Sequence, residues 1–214
     1  MTRTSYTLYS MQRSGNCYKV RLALAHLRVP YCLVEVDILS GESRTPEFLA
    51  MNPDGHVPLL EVAPRRYLPE SNAILWYIAG GTPLAPEDRI DRAEALRWMF
   101  FEQHSLEPNI GAAWFWLTLV KGGRELQHHA IDDWMEHGYQ ALRVMETHLK
   151  TRDYFAADRY TIADIALYGY THVAHECDYD LDAFPAIRAW LDRIANEPGH
   201  VGMDFSPAAT AGVP

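Results

Sequence analysis

Three short stretches of this chain carry groups that could do chemistry together. In the first, Ser14-Gly15-Asn16-Cys17 joins a short β-prone segment to a stretch of helical period. A hydroxyl at Ser14 would stand beside the helix's unpaired N–H groups, where negative charge is favoured. A thiol brought to that point would lose its proton more readily, and Ser14 would donate a hydrogen bond to the thiolate. The second stretch is Val57-Pro58, whose proline keeps the preceding residue extended and leaves a backbone edge for strand addition. The third is Glu70-Ser71, an acid and a hydroxyl that open a helix. A terminal carboxylate could rest on the N–H groups there while Glu70 takes an ammonium group. A small extended peptide carrying both charges at one end fits this set. Taken alone, Ser14 or Asn16 does no more than cap a helix; the combination makes the site.

Other residues invite chemistry without supporting it. Ser14-x-x-Cys17 puts Cys17 where a dithiol protein keeps its second cysteine. With serine in the first position, Cys17 is read as a small residue packed in the first helical turn; if exposed, it could form a mixed disulfide. His172, His175, Glu176, Cys177 and Asp178, and separately His129, Asp133 and His137, have metal-like spacing if helical. With ten histidines in the chain, chance clusters are expected, and no metal is expected here.

The elements that must position these residues follow from periodicity. Residues 6–10 and 31–37 are β-prone, the second by alternation. Residues 16–27 repeat apolar side chains at helical spacing. Thr45-Pro46 enters a short helix through a proline at its first position. Residues 57–62 and 67–68 form a hairpin turning at residues 64–66. A helix from Ser71 ends at Gly80-Gly81, which supplies left-handed residues for its C-terminus. The proline-rich residues 80–86 form the linker. Beyond it, residues 90–116, 124–150, 162–174 and 183–196 show helical period, and 199–214 are expected to be irregular. Thr161-Ile162-Ala163-Asp164 reads as a helix cap with an acid at its third position, a buried folding element. The predicted architecture is an α/β half over residues 1–81 and an all-helical half over 87–214.

Composition sets wider bounds. A chain of 214 residues, 48% hydrophobic and 22% charged, suits a globular protein with one large domain or two small ones. The net charge of -9, with no compensating basic run, argues against a nucleic-acid partner. The apolar runs are too short to span a membrane. Thr2 to Ser5 are polar, unlike a signal peptide. Three scattered cysteines make no disulfide framework, so a cytoplasmic location is expected.

The chain resembles the cytosolic glutathione transferase family along nearly its whole length. The resemblance rests on Ser14 before the first helix, Asn52-Pro53-x-Gly55-x-Val57-Pro58, Glu70-Ser71-Asn72-Ala73-Ile74 and the Thr161-x-Ala163-Asp164 box. It implies a thioredoxin-like N-terminal domain, a helical C-terminal domain, a homodimer and a cis Val57-Pro58 bond. By that resemblance Val57 pairs its backbone with the cysteinyl unit of glutathione, Glu70 and Ser71 hold the γ-glutamyl end, and His56 lies near the glycyl end. Residues 8–21 resemble the zeta class, but Ser14-Gly15-Asn16 lacks the cysteine linked there to maleylacetoacetate isomerisation. Asn16 and Tyr18-Lys19-Val20 resemble the nu class, where a hydroxyl and an asparagine face the sulfur, so Asn16 is assigned in support of Ser14. The expected reaction joins glutathione to a small hydrophobic electrophile. Disulfide or peroxide reduction, zeta-like isomerisation and binding without catalysis are the alternatives.

Overall fold

The computed structural model describes residues 6–207. The readings of Thr2 to Ser5, and of the tail beyond residue 207, fall outside them. Two compact units emerge. One comprises residues 6–80 together with 198–207, and the other Gly81–Glu197. Residues 198–207, expected with the helical half, therefore pack on the first unit; their anchors there are backbone carbonyls, which side-chain patterning does not reveal.

In the first unit, strands β1 (Tyr6–Ser10), β2 (Tyr31–Glu35), β3 (Leu59–Ala63) and β4 (Arg66–Pro69) form one sheet in the order β2-β1-β3-β4. Strand β1 runs parallel to β2 and antiparallel to β3, and β3 to β4 is the predicted hairpin. The parallel pair requires a crossover, supplied by α1 (Gly15–His26). Helix α2 (Pro46–Met51) begins as predicted, with Thr45 Oγ1 accepting from Phe48 N and Pro46 in the first turn. Helix α3 (Ser71–Ala79) packs against α1. Tyr9 and Leu59, opposite each other in register, share a sheet face with Val36, Phe48 and Met51. Side chains alternate along a strand, so the buried Leu8 and Leu60 point to the opposite face. This is a thioredoxin-like arrangement.

The second unit is helical. It contains α4 (Arg89–Phe101), α5 (Ala112–Trp114), α6 (Gly123–Leu126), α7 (Ile131–Leu149), α8 (Ile162–Thr171) and α9 (Pro185–Ala195). The predicted helix over 90–116 widens to π-helical geometry at Glu102–Gly111 and Phe115–Leu119. Pro108 lies inside the first of these and cannot donate to its ladder. The predicted helix over 124–150 is broken between α6 and α7. All ten residues of α8 are buried, the polar Asp164 and Thr171 among them, as suits a helix that is largely apolar all round. Its capping box forms as predicted: Thr161 Oγ1 accepts from Ala163 N at 3.2 Å and Asp164 Oδ2 from Thr161 N at 2.9 Å. Phe155 packs between Trp98 and Trp190, with ring centroids 4.6 and 5.1 Å away. Among the described residues, no helix is long and apolar enough to cross a membrane. Among them, also, no group of three or more His, Cys, Asp or Glu is arranged to hold a metal.

Candidate active site

Ser14 is the N-cap of α1, with extended backbone, and its hydroxyl oxygen accepts from Cys17 N at 3.3 Å. Its amide donates to Met11 O at 3.1 Å, closing the turn that leaves β1. The first turn of α1 has no acidic side chain, so the helix's positive end is not offset by a carboxylate of its own. Ser14 is half-buried. The oxygen accepts from the helix, and the hydroxyl also bonds the buried Cys17 thiol; a hydroxyl can rotate to donate to an anion instead.

Cys17 lies one turn further on, fully buried, with Sγ accepting from Met11 N at 3.3 Å. Burial pushes its thiol above the ordinary value, against the pull of hydrogen bonds from Ser14 and Met11. A buried neutral thiol is a packing residue. The condition under which Cys17 would form a mixed disulfide is not met.

Asn16, expected in support of Ser14, is anchored toward the start of α3. Its Oδ1 accepts from Lys19 Nζ at 2.7 Å and from Ser71 Oγ at 3.3 Å, and Lys19 Nζ lies 3.5 Å from Ser71 Oγ. Asn16 is thus tied through its side-chain oxygen to the start of α3. Lys19 is completely buried and Ser71 nearly so. The sequence reading missed Lys19; its signal was an ammonium three residues after Asn16, which shares a helix face with it.

Glu70 precedes α3 with φ 73° and ψ 115°, and its carbonyl starts the helix by accepting from Ile74 N at 2.9 Å. A non-glycine residue held at positive φ costs roughly 1–3 kcal/mol, and such positions cluster at ligand clamps. The Glu70 side chain is exposed and makes no cap hydrogen bond to α3. The first N–H groups of α3 are therefore not capped by its carboxylate.

The loop between α2 and β3 brings in the third element. Asn52 Nδ2 donates to His56 O at 2.9 Å, folding residues 52–56 into a tight turn. Gly55 sits at φ 63°, and a Cβ there would come within 2.9 Å of Ser43 O, so the glycine is required on both conformational and steric grounds. The Val57-Pro58 bond is cis, as the resemblance implied. The sheet's ladder begins at Leu59, so the backbone of Val57 lies outside it. The exposed Arg44 donates to Asp54 O at 2.7 Å and lies 3.5 Å from His56 Nε2. It adds a cation to this loop that the sequence did not single out, because Arg44 arrives from another loop.

The molecule thus pairs a thioredoxin-like unit carrying a serine-capped helix and a cis-proline loop with a separate helical unit built on a buried capping box. Two family models match it, the glutathione S-transferase N-terminal domain over residues 4–80 and the C-terminal domain over residues 112–198. The chain belongs to the glutathione S-transferase family. A crystal structure described as a possible glutathione S-transferase from Rhodopseudomonas palustris superposes with a TM-score of 0.94. It is 72% identical and covers 95% of this chain and 92% of that one. Maleylacetoacetate isomerase of Rhizobium meliloti is 34% identical over 87% of this chain and 89% of its own length. The disulfide-bond oxidoreductase YfcG of Escherichia coli is 27% identical over 86% of this chain and 87% of its own length.

Proposed function

We propose that the protein is a glutathione transferase that joins the glutathione sulfur to small hydrophobic electrophiles. The observation that carries this reading is Ser14, held at the N-terminus of α1 with its oxygen anchored by an amide, so that its hydroxyl can turn toward a bound thiolate. In this reading the tripeptide lies extended along Val57, with its γ-glutamyl end at Glu70 and Ser71 and its glycyl end toward His56 and Arg44. Ser14 and the helix N-terminus hold the sulfur as a thiolate, the proton having gone to solvent. The sulfur forms a bond to the electrophilic carbon, and the leaving group departs with its electron pair. Holding both reactants together supplies proximity, and the preorganised donors offset charge. The reading includes a homodimer in the cytoplasm, with no metal.

In Ser14→Ala, kcat/KM toward an aryl halide is expected to fall about tenfold or more, the scale of one hydrogen bond to a charged group, roughly 1.5 kcal/mol. An unchanged rate would remove Ser14 from the role.

A second reading keeps the site and changes the reaction. Two glutathione thiols reduce a disulfide to two thiols and leave as glutathione disulfide. The likeness to a disulfide-bond oxidoreductase favours it. The buried Cys17 takes no part, so both reducing thiols come from glutathione. Turnover on hydroxyethyl disulfide against turnover on an aryl halide separates the two readings.

A further inference from the structure

Residues 201–207 form no helix or strand, yet side chains around Ser14 grip their carbonyls in sequence. Tyr18 Oη donates to Val201 O at 2.7 Å. Gln12 Nε2 donates to Met203 O at 2.8 Å and to Phe205 O at 3.1 Å. Arg21 Nη2 donates to Met203 O at 2.9 Å and to Gln12 O at 2.7 Å. Its Nη1 reaches Ser10 Oγ at 2.8 Å and Met11 O at 3.4 Å. Arg21 is completely buried, so these acceptors stand in for the water that its Nη1 and Nη2 have lost, while Nε has no acceptor.

Met11 O accepts from both Arg21 and the amide of Ser14. Met11 N in turn donates to Cys17 Sγ, and Cys17 N donates to Ser14 Oγ. A continuous run of hydrogen bonds therefore leads from the C-terminal segment to the hydroxyl proposed to face the thiolate. The cap bond alone contributes about 1 kcal/mol, too little to hold a connecting loop in one place. The planar guanidinium fixes several carbonyls in one geometry.

We propose that Arg21 and Gln12 are positioning residues that use residues 201–205 as an anchor to hold the Ser14 loop in register with the thiolate. This rests on the assignment of Ser14 as thiolate donor. The peptide-binding groups Val57, Glu70 and Ser71 lie outside this run of bonds. Loosening the anchor should therefore weaken thiol activation and leave glutathione affinity in place.

The test uses the full chain and three variants, Gln12→Ala, Arg21→Met and Arg21→Lys. The readouts are kcat/KM toward an aryl halide against pH, glutathione Kd by calorimetry, and hydrogen exchange at the amides of Ser14 and Cys17. In Gln12→Ala the acid limb of the profile is expected to move up by about half a pH unit or more, as a partly lost hydrogen bond to the thiolate requires. Its Kd stays within about twofold, and both amides exchange faster. Arg21→Met moves the limb further, and Arg21→Lys recovers only part, because an ammonium cannot span the same carbonyls. Gln12 is half-buried, so Gln12→Ala carries the test if Arg21→Met does not fold. An unmoved acid limb in Gln12→Ala, or a Kd that weakens in step with kcat/KM, overturns the proposal. Ser14→Ala in the same assay separates the causes. If its limb moves and that of Gln12→Ala does not, the anchor alone fails; if its limb stays, the reading of Ser14 fails with it.

Discussion

Asp164→Ala is expected to destabilise the protein by about 3 kcal/mol or more, since each buried donor left without an acceptor costs about 1–3 kcal/mol. Asp164 is completely buried. Its Oδ2 accepts from Thr161 N and Thr161 Oγ1 at 2.9 and 3.2 Å, and its Oδ1 from Phe155 N and Trp190 Nε1, both at 3.1 Å. One carboxylate thus caps α8, pins the segment before it and reaches α9 through Trp190. Alanine would leave two amides and an indole N–H without acceptors. Domains of this size are stable by only about 5–15 kcal/mol, so the loss should appear as a large drop in urea midpoint. A midpoint within the error of wild type would show that the box is dispensable.

The same residue makes stability depend on pH. Burial pushes its carboxyl up to about 7, against the pull of its hydrogen-bond donors. The folded protein then binds this proton more tightly than the unfolded chain does. Its contribution is fully present below the unfolded value, near 4, and is lost as pH rises through about 7. The wild-type urea midpoint should fall with pH over that window, whereas Asp164→Asn, which cannot titrate, should lack this component of the slope. Matching slopes would mean that the donors keep the carboxylate ionised throughout.

Lys19→Met is expected to weaken glutathione binding by about tenfold or more, since hydrogen bonds to a charged group contribute roughly 1.5–3 kcal/mol. The Lys19 ammonium holds Asn16 Oδ1 and lies within reach of Ser71 Oγ. It fixes both groups at the proposed γ-glutamyl end and supplies positive charge there. Stability should change little, because an apolar side chain of similar length relieves the cost of burying the ammonium. Calorimetric titration with glutathione, alongside urea unfolding, reads the two effects separately. An unaltered Kd with a fallen urea midpoint would make Lys19 a folding residue and move the γ-glutamyl end away from Ser71.

Much of the site was legible because its chemistry is local. Ser14 capping α1, Thr45 and Pro46 opening α2, and the reciprocal bonds of Thr161 and Asp164 each join residues within a turn of one another. Such pairs leave a fixed spacing in the chain. The π-helical stretches were not legible, because an apolar pattern spaced for a helix does not say whether the ladder closes four or five residues back. The tie from Asn16 to Ser71 was not legible for a related reason. Its partner Ser71 lies on another helix, and only the packing of α1 against α3 brings the two within 3.3 Å.

From its residues alone this chain specifies where many of its helices and strands begin, which hydroxyl caps the first helix, and which proline ends the loop before β3. Those properties depend on near neighbours and on period. The packed chain alone decides that a buried ammonium ties Asn16 to Ser71, that Arg44 joins His56, and that residues 201–205 hold the Ser14 loop. Each of these unites residues far apart in sequence, and several run through backbone carbonyls, which every residue possesses and no pattern of side chains marks.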